Sequence, residues 1–328
     1  MSRGPRSEPA GEDRPGDWRP AASREALARR AVLLAEIRAF FAERGVLEVE
    51  TPVLSAAAVT DPHLTSFRVD GGERDLYLRT SPEFAMKRLV AAGSGPIYEL
   101  AKAFRQGEAG RLHNPELTIL EWYRPGWDHH ALLDEVDALL AAVLGTPAAE
   151  RVTYAELFAR HVGVEAHRDG VERLRAAAAG HGVDVAGELD RDGWLHLLLS
   201  HVVEPRLGRG RPSFVLDFPA SQAALARIRQ GDPPVAERFE VYVEGVELAN
   251  GFHELADAGE QRRRFLDDLA ARRARGLPQV PIDERLLAAL AAGLPDCAGV
   301  ALGVDRLAML AAGAGSLAEV TAFPIDRA

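Results

Sequence analysis

The sequence predicts an α+β fold, an antiparallel β-sheet with helices segregated around it. Three observations carry that prediction. Ile97 to Arg105 and Leu117 to Tyr123 read as two long strands, joined by the polar, Gly-containing connection Gln106 to Glu116. Phe239 to Val243 and Val246 to Ala249 flank Glu244-Gly245, a two-residue hairpin signal. A last strand and helix hold the run Gly299-Val-Ala-Leu-Gly-Val-Asp-Arg306.

The remaining elements follow in chain order. Residues 1–22 are rich in Pro, Gly and charge and are expected to form a flexible tail. Ser23 is placed to cap a helix in which Leu27, Ala31, Leu34, Ile37 and Phe41 recur at helical spacing, with Gly45 as its stop. Val46 to Glu50 alternates like a half-buried strand and ends at Thr51-Pro52. Residues 148–215 are Ala- and Leu-rich and are expected to be a helical insertion, with no evident chemistry. A helix is expected around Ala256 to Arg275. Residues 23–328 thus form one catalytic-type domain, and no internal repeat is present.

Composition narrows the function classes. The chain has 328 residues, 47% hydrophobic and 27% charged, as ordinary globular proteins do. Its apolar stretches are interrupted by Arg, Asp or Glu, which excludes a membrane-spanning helix, and the N-terminus lacks an apolar signal segment. Cys297 is the only cysteine, so no internal disulfide can form and a cytoplasmic location is expected. The net charge of −10 argues against a broad nucleic-acid footprint. Lysine occurs only at Lys87 and Lys102, the rest of the positive charge being arginine.

Strand periodicity locates candidate chemistry. Ile97, Glu99, Ala101, Ala103 and Arg105 share one face of their strand, as do Leu117, Ile119, Glu121 and Tyr123 of theirs. Charges among apolar neighbours need a partner, so they face either a ligand or each other. Arg105 paired with Glu99 or Glu121 is the purely structural alternative. Gly299 and Gly303 permit close backbone approach, and the Arg306 fork matches phosphate oxygens. Glu247 and Glu254, in Glu247-Leu-Ala-Asn-Gly-Phe-His-Glu254, are a candidate oxygen-ligand pair for Mg²⁺, with two solvated glutamates as the alternative. His113 and His253 read as satisfied polar residues.

Phe104-Arg105 with Arg111 to Tyr123, together with Gly299 to Arg306, resemble motifs 2 and 3 of class II aminoacyl-tRNA synthetases. The helix and strand ending at Pro52 resemble motif 1, the family's dimer element. From about Arg29 to Ala328 the chain looks like the lysyl-tRNA synthetase-like ligases that attach (R)-β-lysine to elongation factor P. The segments GVLEVETPVLS, TSPEFAMKRL, GRLHNPELTILEWYRP, ERFEVYVEGVELANGFHEL and PDCAGVALGVDRLAML carry that likeness.

The resemblance implies the following roles. Ser81, Pro82, Glu83, Tyr123 and Glu254 line an amino-acid pocket, with Glu121 as a further ammonium contact. Arg105, Gln106, Gly107, Asn114, Pro115, Glu247, Leu248 and Gly303 hold ATP, and Arg306 binds its outer phosphates. Glu247 and Glu254 hold Mg²⁺. Arg105 and Arg306 are the catalytic residues. Ser81 and Ala301 stand where lysyl-tRNA synthetases typically carry Ala and Gly, which points to another lysine isomer. Gly107 replaces the usual third residue of Arg-Asn-Glu, with Glu108 one position further on, and Leu117 replaces an adenine-stacking Phe. About fifty residues precede the first catalytic motif, too few for a separate anticodon-binding domain of typical size. The implied partners are elongation factor P, (R)-β-lysine and a second copy of the chain, with no tRNA and no membrane. A stand-alone lysyl-tRNA synthetase-like protein, an ammonia-dependent asparagine synthetase and a non-catalytic regulator are the alternatives. The acidic Glu121 and Glu254 speak for a cationic substrate and against aspartate.

Overall fold

In the computed structural model, which describes residues 18–185 and 187–328, the predicted hairpins form the centre of a large sheet. The long strands are β5 (Ile97–Phe104) and β6 (Glu116–Pro125), with β10 (Val235–Val243), β11 (Val246–His253) and β12 (Cys297–Gly303). Around them lie β1 (Leu47–Glu48), β7 (Glu150–Thr153), β8 (Ser213–Pro219) and β9 (Ile228–Arg229). The strand order is β1-β5-β6-β12-β11-β10-β8-β7, with β9 paired to β10. The centre is antiparallel as expected, but β1 joins β5 and β7 joins β8 in parallel, so the sheet is mixed at its edges. A small second sheet joins β2 (Leu54–Ser55), β3 (Arg68–Asp70) and β4 (Asp75–Leu78).

The hairpin between β10 and β11 turns through Glu244 (φ 52°) and Gly245 (φ 75°). Two consecutive positive φ values match the right-handed twist of the strands, and glycine takes the second at no steric cost.

Three helices cover the back of the sheet. They are α1 (Arg24–Glu43), α3 (His129–Leu144) and α9 (Val304–Ala311). Ser23 accepts from the Ala26 N–H as the α1 cap, and Gly45 (φ 64°) follows the helix end. The buried α1 face is Leu33, Ile37, Phe40 and Phe41, whereas Ala31 is exposed. The buried stripe is rotated from the expected one because Ala is too small to mark a buried face. Phe41 stacks on Tyr98 at 4.5 Å and meets Trp122 edge-on at 5.3 Å. Leu132, Val136 and Leu139 of α3 complete this core against Leu120, Trp122, Val241 and Val300. Each such side chain contributes about 1.5–3 kcal/mol by leaving water.

Two further layers bound the front face. At one end α2 (Glu83–Ala91) packs with α7 (Ala258–Ala274) and α8 (Glu284–Gly293) through Met86, Val90, Phe265, Leu286 and Leu290, against Ile97 and Tyr123. At the other end lies the predicted insertion. It holds α4 (Tyr154–His161), α5 (Val171–Gly180) and α6 (Arg191–Leu198), and contributes β7 to the sheet edge. Its core of Tyr154, Phe158, Leu174, Trp194 and Leu195 abuts Val215 and Tyr242. The central front face is thereby left as a cleft floor.

Of the expected N-terminal tail, residues 1–17 lie outside the described residues. Ala21 donates its N–H to the Ala322 carbonyl at 2.8 Å, and Ala22 is buried. Among the described residues no helix is long and apolar enough to cross a membrane.

Candidate active site

The sheet register assembles the predicted front-face residues. Glu99 lies opposite Glu121, and Glu121 opposite Ala301; Tyr123 lies opposite Gly299, and Ile119 opposite Gly303. Across the next pair Asn250 faces Ala301 and Phe252 faces Gly299. Residues scattered over two hundred positions of sequence therefore share one surface.

The floor is carboxylate-rich and largely buried. Ser81 donates its hydroxyl to Glu121 Oε2 at 2.5 Å and accepts the Glu83 N–H at 3.1 Å, at the start of α2 where buried Pro82 is the N-cap. Tyr123 donates to Glu121 Oε1 at 2.7 Å. Lys87 Nζ reaches Glu83 Oε1 and Glu254 Oε2, each at 2.6 Å. Lys87, Glu121 and Glu254 are all nearly inaccessible, at 1%, 2% and 1%.

Burial, reinforced by the Glu83 charge, pushes the Glu121 carboxyl up to about 8, while Ser81 and Tyr123 pull it back. Burial likewise raises Glu254 to about 7 against the pull of Lys87. Burial lowers Lys87, but Glu254 and Glu83 together outweigh it and keep the ammonium charged. A Cβ at Gly299 would sit 2.4 Å from Tyr123 Cε1 and 2.5 Å from Glu254 Oε1. Only glycine lets these two side chains lie over the strand.

Arg105 stands at the far end of this hairpin. It pairs with neither Glu99 nor Glu121. Glu99 is held by Arg79 at 2.8 Å and Thr51 at 2.7 Å. Among the described residues the Arg105 guanidinium makes only a long bond to the Thr80 carbonyl (3.4 Å) and a loose approach to Glu108 (3.8 Å). Its backbone N–H donates to the Pro115 carbonyl at 2.8 Å. Gln106 and Gly107 follow in an exposed loop. Arg306 is held more firmly, by the Glu247 carbonyl (2.8 Å), the Leu112 carbonyl (3.2 Å) and His113 Nε2 (2.9 Å). Burial and the Arg306 charge lower the His113 pKa. Asp305 accepts from Arg30 at 2.6 Å and from the Thr118 N–H at 2.8 Å, tying α9 to α1 and β6.

A third acidic group lies toward the insertion. Glu204, Glu240 and Glu247 line one cleft together with Leu197, Leu199 and Ser200. Burial, then the charges of Glu247 and Glu240, push Glu204 up to about 7. Burial raises Glu240, which Arg238 holds at 2.5 Å.

The family model for class II tRNA synthetases (D, K and N) matches residues 11–327. The chain is 57% identical over 320 residues to elongation factor P–(R)-β-lysine ligase of Vibrio cholerae serotype O1, covering 95% of this chain and 99% of that protein. It is 56% identical over 321 residues to the proteins of that name from Salmonella paratyphi B and Salmonella heidelberg, covering 95% of this chain and 98% of each. The chain belongs to the class II tRNA synthetase family. Among the described residues the class II domain has no separate anticodon-binding unit beside it.

Within this class II domain the structure corrects one expectation. Glu247 and Glu254 cannot share an ion, because Glu247 lies near the start of extended β11 and Glu254 just past its end, seven residues or roughly 23 Å on at ~3.3 Å per residue. Glu254 belongs to the Lys87 pocket instead. The carboxylate that accompanies Glu247 is Glu240, with Glu204 beside it. Asn114 has its side chain engaged at both ends, donating to the Glu116 carbonyl at 2.6 Å and accepting the Ile325 N–H at 3.0 Å. Its amide anchors the C-terminal segment and keeps one N–H free of these two bonds. Leu248 turns its side chain into the back core, so it offers a ligand only backbone.

Four residues escape the sequence reading. Glu240 follows Arg238 and precedes Tyr242 on one strand face, an alternation that is legible. Glu204 sits in the insertion, which carries no evident chemistry in sequence, and no local pattern marks it. Lys87 is one of only two lysines, and its presence in an arginine-rich chain is the signal. Asn250 faces Ala301, and its buried Oδ1 has no hydrogen-bond partner among the described residues. A buried acceptor left unpaired is costly, so Oδ1 fits a ligand donor.

Proposed function

We propose that this chain activates (R)-β-lysine with ATP as an acyl-adenylate and transfers it to a lysine side chain of elongation factor P. The single observation that carries the substrate class is the charge of the pocket. Glu83, Glu121 and Glu254 surround one ammonium, Lys87, so the fully ionised pocket is left with two uncompensated negative charges. A lysine isomer brings two ammonium groups. Buried charge must be paired, and a dicationic amino acid pairs it. Asn250 Oδ1 supplies a further acceptor. The Ala301 methyl and the Ser81 hydroxyl narrow the floor beside Glu121, favouring an amine displaced from the α-carbon. One methylene-sized change discriminates by only ~1–3 kcal/mol, so α-lysine retains residual activation. The name borne by the 56–57% identical relatives supports the same reading.

In the proposed mechanism the substrate carboxylate attacks the α-phosphorus of ATP in line and pyrophosphate leaves. Arg105, least committed to protein partners, meets the charge that develops on the α-phosphate. Arg306 holds the outer phosphates. Gly303 leaves open space where a side chain would stand, the nearest atoms lying 3.8 Å from the place a Cβ would take. Glu240 and Glu247 fit a divalent cation such as Mg²⁺, since burial and then the Glu247 charge raise the Glu240 pKa and both carboxylates line one cleft. Such an ion screens the phosphates when bound. In the second step the acceptor lysine amine attacks the adenylate carbonyl and AMP leaves. No covalent enzyme intermediate is involved.

Pyrophosphate exchange tests the first step. Exchange should saturate at lower (R)-β-lysine than α-lysine and be negligible with aspartate. The KM for β-lysine should also rise as pH falls. Glu121 and Glu254, raised to about 8 and about 7, carry protons below those values. A dication binds the ionised pocket and displaces protons, so KM climbs by up to about tenfold per pH unit for each proton displaced. A flat KM from about pH 8.5 down to about 6.5, the window those two values span, would count against the pocket assignment.

We further propose a twofold homodimer through the α1–β1 edge. Val32 on α1 and Leu47 on β1 are exposed there, at 49% and 58%. β1 is also the last strand of the large sheet. Closed twofold pairing is the commonest way to cover such a surface. Sedimentation at micromolar concentration should give twice the chain mass, and a monomer would reject the proposal.

A further inference from the structure

We propose that His129, Glu237 and His253 bind one divalent transition-metal ion of the zinc class on the back of the sheet, apart from the ATP cleft. One possible ligand atom from each residue lies within 4.8 Å of those of the other two. His129 opens α3, Glu237 is on β10 and His253 ends β11. The ion would therefore clamp the first turn of a core helix to two central strands, next in sequence to Glu254.

A second observation points to a ligand. His129 is 2% exposed, and neither ring nitrogen has a hydrogen-bond partner among the described residues. A buried imidazole left without partners is costly, so its nitrogens call for a ligand. The His129 and His253 rings lie 6.0 Å apart, centroid to centroid, and 26° from parallel. Burial, then the neighbouring His130, lowers the His129 pKa to about 4, so its lone pair is free for a metal near neutrality.

His253 is already oriented as a ligand. Its Nε2 faces Asp296 Oδ1 at 2.9 Å, and its Nδ1 faces Glu237 Oε2 at 2.7 Å. The first contact matches the carboxylate–histidine pairing that orients metal-bound imidazole. The second is where the ion would enter, replacing the shared proton. Ligand atoms about 2.0–2.2 Å from tetrahedral zinc sit about 3.4 Å apart, so the 2.7 Å contact need open by less than about 1 Å. Arg227 pairs with Asp296, and Arg229 approaches Glu237 at 3.9 Å. These cations offset part of the charge of the two carboxylates. Water completes the coordination, as it does where three protein ligands bind zinc. Two imidazoles and a carboxylate suit zinc, nickel or cobalt better than magnesium.

The test uses full-length, tag-free protein stripped with a chelator and titrated with ZnSO₄. Binding of one zinc per chain, a rise in Tm and release of about one proton per ion are expected. Asp296→Asn should weaken zinc affinity by about 10- to 100-fold, and His129→Ala should abolish stoichiometric binding while the protein still melts cooperatively. Cobalt(II) should give tetrahedral ligand-field bands in the native protein that are lost in His129→Ala. The alternative is a protonated His253 bridging Glu237 and Asp296 with no metal. Absence of stoichiometric zinc, or equal zinc affinity in a folded His129→Ala protein, overturns the proposal.

Discussion

Replacing Arg105 by alanine is expected to slow adenylate formation by about 10²- to 10³-fold, about 3–4 kcal/mol of transition-state stabilisation, with Tm almost unchanged. The two halves of this expectation rest on different contacts. The loss in rate follows from a rigid fork of donors at the end of the β5–β6 hairpin, where the proposed mechanism develops charge on the α-phosphate. The unchanged Tm follows from how little the side chain does for the fold, a 3.4 Å bond to Thr80 and a 3.8 Å approach to Glu108. Arg306→Ala should lose activity on a similar scale but should also lower Tm. It strips the Glu247 and Leu112 carbonyls of their donor. Stopped-flow or exchange assays beside thermal melts separate the two variants. An Arg105→Ala enzyme with wild-type exchange rejects the phosphate assignment.

Lys87→Met is expected to destabilise the protein by about 3–5 kcal/mol, the usual cost of breaking a buried ion pair by deleting one partner. The methionine fills most of the volume, so the cost is electrostatic. Glu83 and Glu254 would face each other without the ammonium that now lies 2.6 Å from both. The sign of the pH dependence follows. Glu254 is already raised from 4.5 to about 7, and loss of Lys87 raises it further. A carboxyl raised on folding penalises the native state while ionised. That penalty is fully present above the folded pKa and disappears as pH falls toward the unfolded value. The deficit of Lys87→Met should therefore be largest near pH 8 and shrink toward about pH 4.5. Urea unfolding of both proteins at about pH 8 and about pH 5 measures it. An equal deficit at both values would mean that lost packing, not unpaired charge, is responsible.

Much of this site is legible because strand periodicity is a two-residue rule. Glu121 and Tyr123 on one strand, and Gly299, Ala301 and Gly303 on another, can be assigned to shared faces from spacing alone. The turn at Glu244-Gly245 sets one hairpin for the same local reason. Pairing between distant strands is not legible, and the metal assignment fails there. Glu247 and Glu254 are close in sequence, yet an extended strand drives them apart. Glu240, equally distant in sequence, returns beside Glu247 across the hairpin. Glu204 reaches the same cleft from the insertion, where helix signals say nothing about which end meets the sheet. The strand at Val46 to Glu50 is legible, but the parallel pairing of β1 and the strand β7 are not, because two- and four-residue strands carry too little pattern to set direction. Lys87 shows a third kind of limit. Its rarity is visible, but only the fold reveals that its ammonium bridges two pocket carboxylates.

The central claim is that the pocket's two unbalanced negative charges select a diamino acid for transfer to a protein. Its most direct measurement is the intact mass of purified elongation factor P after incubation with this enzyme, ATP, Mg²⁺ and (R)-β-lysine. The account predicts a mass increase equal to one β-lysyl group on a single lysine, dependent on ATP and greatly reduced with Arg105→Ala. Unmodified elongation factor P under these conditions, with efficient charging of tRNA by α-lysine instead, would contradict it.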